Sequence, residues 1–173
     1  ASMAGNDMRV AEPEFAFRMR VDLPPRAAPY SVRAVPAAVD TLHPAIEIPD
    51  SRFADFVSAG VAQIIADNAC AHLFVLGPAT TADWRALDLI EERPVITMRG
   101  EKFVGHGKNV LGDPRVALTW LANELRQLGV DVRLRLAAHR TGLLVRLGQR
   151  ALGLLGSPRD HGFLTGHLQL LVM

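Results

Sequence analysis

The stretch AEPEFAFRM, residues 11–19, alternates apolar residues with other residues in the way that is typical of a β-strand. Successive side chains of a strand point to opposite faces, so the apolar residues at the odd positions 13–19 share one face. Glu12 and Glu14 share the other face. The pattern therefore predicts a strand over residues 10–19 that turns its apolar face to a core and carries two like charges side by side.

Further along the chain, the hydrophobic pattern predicts both helices and strands. Short apolar runs bounded by glycine or proline are typical of strands, and apolar residues three or four apart are typical of helices. The first predicted element is a helix in YSVRAVPAAVDTL, which would begin at a cap at Ser31 and be kinked at Pro36. It is followed by a short strand with Ile46 and Ile48 on one face and Glu47 on the other. The later elements are a helix over 61–67, a strand ending at Gly77, and a hairpin turning at Arg99–Gly100.

The clearest predicted element is a helix in GDPRVALTWLANELRQLGV. Asp113 is a favourable N-cap, Pro114 suits the first helical position, and Gly129 is a natural stop. One stripe of this helix is apolar and is predicted to pack on a sheet as core: Leu118, Leu121, Leu125 and Leu128, widened by Val116, Ala117 and Trp120.

Composition and charge narrow the class of protein. The 173 residues are long enough for one domain with a sizeable core, and 49% hydrophobic with 21% charged residues is a globular balance. The net charge of +1 gives no general attraction for nucleic acid or an acidic membrane surface. The single cysteine, Cys70, excludes an internal disulfide, and no apolar run reaches the roughly 18 residues of a membrane span. We therefore expect a cytoplasmic protein without a nucleic-acid or membrane partner.

The paired glutamates allow two interpretations. They lie either on the wet face of a half-buried sheet or around a shared cation, because like charges close together repel unless a proton or a metal is added. A cation site needs a further ligand, and Glu47 is the candidate. It stands in the apolar segment PAIEIP, where a carboxylate must either face water or bind something.

Four segments in this order resemble a known enzyme group: EPEFAF, PAIEIPDSRF, ADNACAHLFVLG and GKNVLGDPRVALTWLANEL. They are similar to the 2-keto-4-pentenoate hydratase and 4-oxalocrotonate decarboxylase group of the fumarylacetoacetate hydrolase superfamily. The resemblance implies an α+β fold, namely a mixed, strongly bent β-sheet roll with packed helices, like the C-terminal domain of fumarylacetoacetate hydrolase. It also divides the chain into an expression remnant or flexible start (1–8), a hydratase-like core (9–131) and an atypical tail (132–173).

The resemblance implies a Mg²⁺ or Mn²⁺ site formed by Glu12, Glu14 and Glu47. In that group the ion holds the carboxylate and 2-oxo group of the substrate and stabilises the enolate formed as protons move. The absence of histidine and cysteine from this set argues against zinc.

Three further positions are implied to bind substrate. Asp50 and Asn68 fall where the group has polar residues near the substrate; the alternatives are a turn residue and a helix C-terminal cap. Gly77 lies where a strand leaves the core and would let the backbone approach a ligand. Arg52 is either a clamp for a substrate carboxylate or an ion-pair partner.

The chain also departs from the group. Members carry a further N-terminal segment with a lysine that takes part in proton transfer. The lysines of this chain, Lys102 and Lys108, are not in that context, so no catalytic residue is assigned and low turnover is expected. His106 is predicted to be a surface residue of a glycine-rich loop. Lys108 of the same loop is predicted to be solvated, the alternative being a contact with an anionic substrate.

The tail is the second departure from the group. From Arg133 onward it contains six arginines against one acid, Asp160, with leucine and glycine filling much of the rest. It is either a basic amphipathic helix or the translation of a shifted reading frame. We expect residues 133–173 not to form strands of the sheet.

The implied function is that of a metal-dependent hydratase of 2-hydroxy-2,4-dienoates in the degradation of aromatic compounds. The substrate would be a small 2-oxo or 2-hydroxy acid, and the protein is expected to be a homo-oligomer. A 4-oxalocrotonate decarboxylase, a fumarylacetoacetate-type hydrolase, and an inactive fragment that keeps only the fold and the metal site remain as alternatives.

Overall fold

The computed structural model of the chain describes residues 4–98 and 100–132 and the backbone of 169–172. Within these residues the α-helices are α1 (Ala34–Ala37), α2 (Val61–Ala66) and α3 (Pro114–Gln127), and single 3-10 turns span Asn68–Cys70 and Gly107–Asn109. The strands are β1 (Glu12–Met19), β2 (Val39–Ile48), β3 (Leu73–Leu76), β4 (Val95–Met98), β5 (Glu101–Val104) and β6 (Gln169–Val172).

The strands form a mixed sheet in the order β3-β2-β1-β6 and a separate hairpin of β4 with β5. β2 pairs antiparallel with both β1 and β3, whereas β6 runs parallel to β1. Sheets combined with helices of this kind confirm the α+β class. Within the described residues, no helix combines the length and the apolar character needed to span a bilayer.

β6 corrects the prediction that residues 133–173 contribute no strand to the sheet. Its four residues pair with residues 14–17 of β1. The run QLLV lacks alternation, but parallel strands commonly read as continuous apolar runs, so the missing period of two was a poor criterion. The other residues of the tail, and the interpretation of the tail as a helix, lie outside the described residues.

The hydrophobic core lies between the sheet and α3. β1 contributes Phe15, Phe17 and Met19, the face predicted from alternation. The rings of Phe17 and Trp84 meet edge to face at 5.6 Å between centroids, a favourable arrangement for aromatic pairs. The face of α3 that completes this core consists of Ala117, Leu118, Leu121, Ala122 and Leu125.

The ends of α3 follow the predicted signals. The Asp113 side chain accepts a hydrogen bond from the Arg115 amide at 2.8 Å, which satisfies one of the amides without a helical partner. At the other end Gly129 adopts φ +71°, and the Val130 amide donates to the Leu125 carbonyl at 2.9 Å. This is the glycine-based helix end in which the chain reverses through a left-handed residue.

The predicted width of the apolar stripe of α3 was wrong. Val116, Trp120 and Leu128 are 40%, 37% and 74% exposed. Successive residues of a helix are about 100° apart, so Val116 and Trp120 fall on a face away from Leu118 and its neighbours. Leu128 is the C-cap residue, where the helix already ends.

The helix predicted from Ser31 is much shorter than expected. Ser31 does accept a hydrogen bond from the Ala34 amide at 3.1 Å, but α1 ends at Ala37 and the following residues belong to β2. Pro36 lies in the first turn, where its missing N–H removes no helical bond, so no kink arises. Pairing of residues 39–48 with β1 overrides the local helical spacing.

The remaining predicted elements are confirmed. α2 spans most of 61–67, β3 ends immediately before Gly77, and β4 and β5 form the hairpin. Gly100 has φ +85° in its turn, while Arg99 lies outside the described residues.

Candidate metal centre

The register of β1 against β2 places three carboxylates on one face of the sheet. Glu12 and Glu14 are two residues apart on β1 and so share a face. Glu47 is the cross-strand partner of Glu12, and directly paired residues also share a face. Their carboxylate oxygens lie within 4.8 Å of one another. The structure thus brings together the three residues that the sequence predicted as metal ligands.

The carboxylates on this face of the sheet are largely shielded from solvent. Glu14 is 5% exposed and Glu47 is 2% exposed, while Glu12 is half-buried. The interpretation of the glutamate pair as an ordinary solvated face is therefore wrong. Three carboxylates in one buried group repel each other, and a divalent cation at their centre would remove that repulsion.

A buried histidine lies on the same face and was missed by the sequence analysis. His43 is four residues before Glu47 on β2 and pairs with Ala16 of β1. Its Nδ1 donates to the Gly77 carbonyl at 3.0 Å, so in the neutral ring Nε2 accepts from the Thr41 hydroxyl at 2.8 Å. The alternation of His43 with Glu47 along β2 was the signal that could have placed it.

Two alanines separate His43 from the carboxylates along the paired strands. Ala16 and Ala45 are buried there and pack with Phe74, the β3 partner of Glu47. The carboxylate group is therefore bordered on its sheet face by apolar surface.

Asp50 follows β2 at the end of the sheet that carries Glu47. Its Oδ1 accepts hydrogen bonds from the Asp7 amide at 2.9 Å and the Met8 amide at 3.3 Å. The Asn6 side chain donates to the Pro49 carbonyl at 2.8 Å. Residues 6–8 are therefore held against the segment after β2, and a substrate-binding role for Asp50 stays a prediction.

The backbone around Asn68 and Gly77 explains why these two positions carry asparagine and glycine. Asn68 is exposed and follows α2 with φ +49°, the left-handed position that asparagine tolerates after a helix. A Cβ on Gly77 would lie 2.6 Å from the Pro44 carbonyl oxygen, so the close approach that glycine allows is to β2. Their substrate-binding roles stay predictions.

Arg52 forms an ion pair, the second of its two predicted roles. Its guanidinium lies 3.2 Å from a carboxylate oxygen of Asp67, whose side chain is 1% exposed. Burial opposes ionisation of Asp67, but hydrogen bonds from the Ser51 hydroxyl, the Arg52 amide and Cys70, together with the Arg52 charge, hold the pKa of Asp67 below its ordinary value.

The two residues predicted to lie on the surface of the glycine-rich loop differ in their exposure to solvent. Lys108 is exposed, as predicted. The prediction for His106 was wrong: its side chain is 13% exposed, and its Nε2 lies 3.6 Å from Glu91 Oε2. The backbone of this loop bonds to residues 90 and 92, which draws His106 inward.

The donor set fits a hard divalent cation. Carboxylate oxygens are the ligands that Mg²⁺ prefers, and magnesium sites use few protein carboxylates and keep other positions open. The group contains only carboxylates, whereas zinc sites favour histidine and cysteine. Fold and site together define an α+β protein with a buried three-carboxylate site suited to such an ion.

Comparisons with known proteins identify several proteins similar to this chain. No protein-family model matches the chain. It is 39% identical over 97 residues to a 2-keto-4-pentenoate hydratase of Paraburkholderia xenovorans, covering 56% of the chain and 35% of the relative. It is 34% identical over 122 residues to a 2-hydroxypent-2,4-dienoate hydratase of Pseudomonas putida, covering 69% of the chain and 53% of the relative.

Solved structures also match the chain. The 4-oxalocrotonate decarboxylase from Pseudomonas putida G7, complexed with magnesium and adipate, matches with a TM-score of 0.60 and 29% identity. The match covers 70% of this chain and 45% of the decarboxylase. These similarities confirm the resemblance to the 2-keto-4-pentenoate hydratase and 4-oxalocrotonate decarboxylase group. The chain spans between about a third and about half the length of these relatives.

Proposed function

We propose that this chain is the metal-binding part of a hydratase acting on 2-hydroxy-2,4-dienoates in the degradation of aromatic compounds. The observation that carries the proposal is the convergence of Glu12, Glu14 and Glu47 in one group, in which Glu14 and Glu47 are buried. The similarity to relatives named as hydratases supports water addition as the reaction. The magnesium in the decarboxylase structure supports a divalent ion, and we propose Mg²⁺ or Mn²⁺.

Glu12, Glu14 and Glu47 would hold the ion. When bound, a divalent ion supplies Lewis-acid stabilisation of negative charge on the oxygens of a 2-oxo acid. The chain's own residues fix the position of that charge, because both strands that carry the carboxylates are paired along their length. Phe74, Ala16 and Ala45 limit water on the sheet side of the group.

Further features of the proposal come from the resemblance to the hydratase and decarboxylase group and from the sequence. The strongly bent roll of the fumarylacetoacetate hydrolase superfamily is the proposed form of the complete sheet. Asp50, Asn68 and Gly77 are proposed to contact the substrate, a small 2-oxo or 2-hydroxy acid. A homo-oligomer is proposed as the state of the protein.

Calorimetric titration with Mg²⁺ tests the metal site. Replacing Glu47 with Gln removes one negative ligand while keeping the side-chain volume, so affinity should fall markedly. Glu101→Gln is the matched control, because Glu101 is exposed on β5, outside the carboxylate group. Equal Mg²⁺ affinity of the parent and the Glu47 variant would refute the site and most of the functional proposal.

The reaction is tested separately by supplying 2-hydroxypenta-2,4-dienoate and following the loss of its ultraviolet absorbance. Loss of absorbance that requires both Mg²⁺ and Glu47 supports a hydratase. Release of carbon dioxide from 4-oxalocrotonate, with no consumption of the dienoate, would instead show a decarboxylase. Glu47-dependent Mg²⁺ binding without either reaction would show that the chain keeps the metal site but not the activity.

A further inference from the structure

Three consecutive residues after α2 adopt a left-handed conformation. Asn68, Ala69 and Cys70 have φ values of +49°, +53° and +60°. L-residues avoid this region, and when it is used it is normally by single residues, mostly glycine or asparagine. A run of three is unfavourable by itself, so the surrounding structure must hold it in place.

Ser51, Arg52 and Asp67, here called the Asp67 network, hold this turn. The Asp67 carboxylate accepts from the Ser51 hydroxyl at 2.7 Å and from the Arg52 amide at 3.1 Å. The Arg52 guanidinium donates to the carbonyls of Asp67 and Ala71, both at 2.9 Å. These two carbonyls flank the left-handed residues, so Arg52 spans the turn from one end to the other.

The network joins the turn to the end of the sheet that carries the carboxylates. The Asp50 amide donates to the Cys70 carbonyl at 2.8 Å, and Asp50 is three residues after Glu47. The chain then enters β3, where Phe74 pairs with Glu47. The hydrogen bond between Asp50 and Cys70 thus continues the contact of β2 with β3 beyond the pair formed by Glu47 and Phe74.

We propose that Arg52 and Asp67 are positioning residues that hold Asp50 and Asn68, the proposed substrate contacts, at the end of β2 that follows Glu47, for binding the part of the substrate away from the metal. This inference rests on the proposed function. An exposed ion pair would not justify it, because such pairs contribute little. The Asp67 side chain, however, is buried, and its carboxylate accepts hydrogen bonds from the Ser51 hydroxyl and the Arg52 amide. The Arg52 guanidinium in turn donates to backbone carbonyls at both ends of the turn.

Arg52→Lys tests the inference. It keeps the positive charge but loses the planar fork that reaches two carbonyls at once. Arg18→Lys is the matched control, because Arg18 makes a long, exposed ion pair with Asp40 at 4.0 Å. The probes are Mg²⁺ alone, oxalate with Mg²⁺, which needs only the metal, and adipate with Mg²⁺, which extends beyond it.

The expected result is that the variant changes the affinity for one probe and not for the other two. Arg52→Lys should leave Mg²⁺ and oxalate affinity unchanged and weaken adipate binding by about tenfold, the effect of weakening a charged hydrogen-bond network. Hydrogen exchange should become faster at the amides of Asp50, Cys70 and Ala71 and stay unchanged in β1. Arg18→Lys should change none of these quantities.

Two results would overturn the inference. One is unchanged adipate affinity in Arg52→Lys; the other is equal weakening of Mg²⁺, oxalate and adipate, which would indicate a merely structural role. Asp67→Asn keeps the acceptor oxygen and should give the same difference between the probes, so the inference does not depend on one variant folding. Failure of the proposed function is a separate observation, namely Mg²⁺ binding by the parent that does not depend on Glu47.

Discussion

Replacing Ala69 with Gly should stabilise the protein, although glycine normally destabilises. Ala69 is the middle residue of the left-handed run, with φ +53°. For an L-residue this conformation costs roughly 1–2 kcal/mol relative to the right-handed region, whereas glycine adopts it without that penalty. The substitution removes only a half-buried Cβ, so it causes little loss of packing.

The expected gain is the difference between two terms. Glycine relieves the left-handed strain but adds conformational entropy to the unfolded chain, which costs about 0.4–1 kcal/mol. The net increase in the free energy of unfolding should therefore be about 1 kcal/mol, or a rise in melting temperature of about 2–4 °C for a chain of this length.

Equilibrium unfolding in urea measures this difference, with Ala62→Gly as the control. Ala62 is exposed within α2, where the same chemical change should lower the free energy of unfolding by about 1 kcal/mol. The two variants should therefore shift the unfolding midpoint in opposite directions. A loss of stability in Ala69→Gly similar to that in Ala62→Gly would show that residue 69 is not held in the left-handed region.

Two further predictions concern packing and pH. Gly77→Ala should destabilise the protein by roughly 1–3 kcal/mol, because the new Cβ would meet the Pro44 carbonyl oxygen at 2.6 Å; an unchanged urea midpoint would contradict this. Asp67 has a folded-state pKa below its unfolded value, so its ionised form stabilises the fold above about pH 4, and this contribution is lost as pH falls through the lower folded-state pKa. Asp67→Asn should therefore show a flatter decline of unfolding free energy below about pH 4, and acid titrations that run parallel in the two proteins would contradict it.

The elements that could be predicted from the sequence are those whose signals are local. Alternation in β1, the Asp113 cap and the Gly129 stop each act within a few residues, and each is found where it was predicted. Part of the grouping of the three glutamates could be predicted because the spacing of Glu12 and Glu14 fixes a shared face. Placing Glu47 beside them required the resemblance to a known group, since strand register is not visible in either segment alone.

The features that could not be predicted depend on contacts between distant segments. Residues 39–42 have helical spacing but become a strand because β1 offers a partner. The left-handed run at 68–70 contains no glycine, and only Asn68 is of a type that favours the conformation, so the residues do not indicate a run of three. It exists because the Arg52 side chain bonds to the backbone carbonyls of Asp67 and Ala71 and the Ser51 hydroxyl bonds to the Asp67 carboxylate. The outward direction of Trp120 follows from the rotation of α3 on the sheet.

At the pair formed by Glu12 and Glu47, the requirement for a stable sheet opposes the requirement for cation binding. Like charges directly opposite each other destabilise a strand pair, so these two positions work against the fold that carries them. Selection for thermal stability alone would favour a neutral residue at one of them, whereas selection for cation binding would retain both. Under the proposed function, a substitution that stabilises this ladder position would therefore also remove a ligand of the cation.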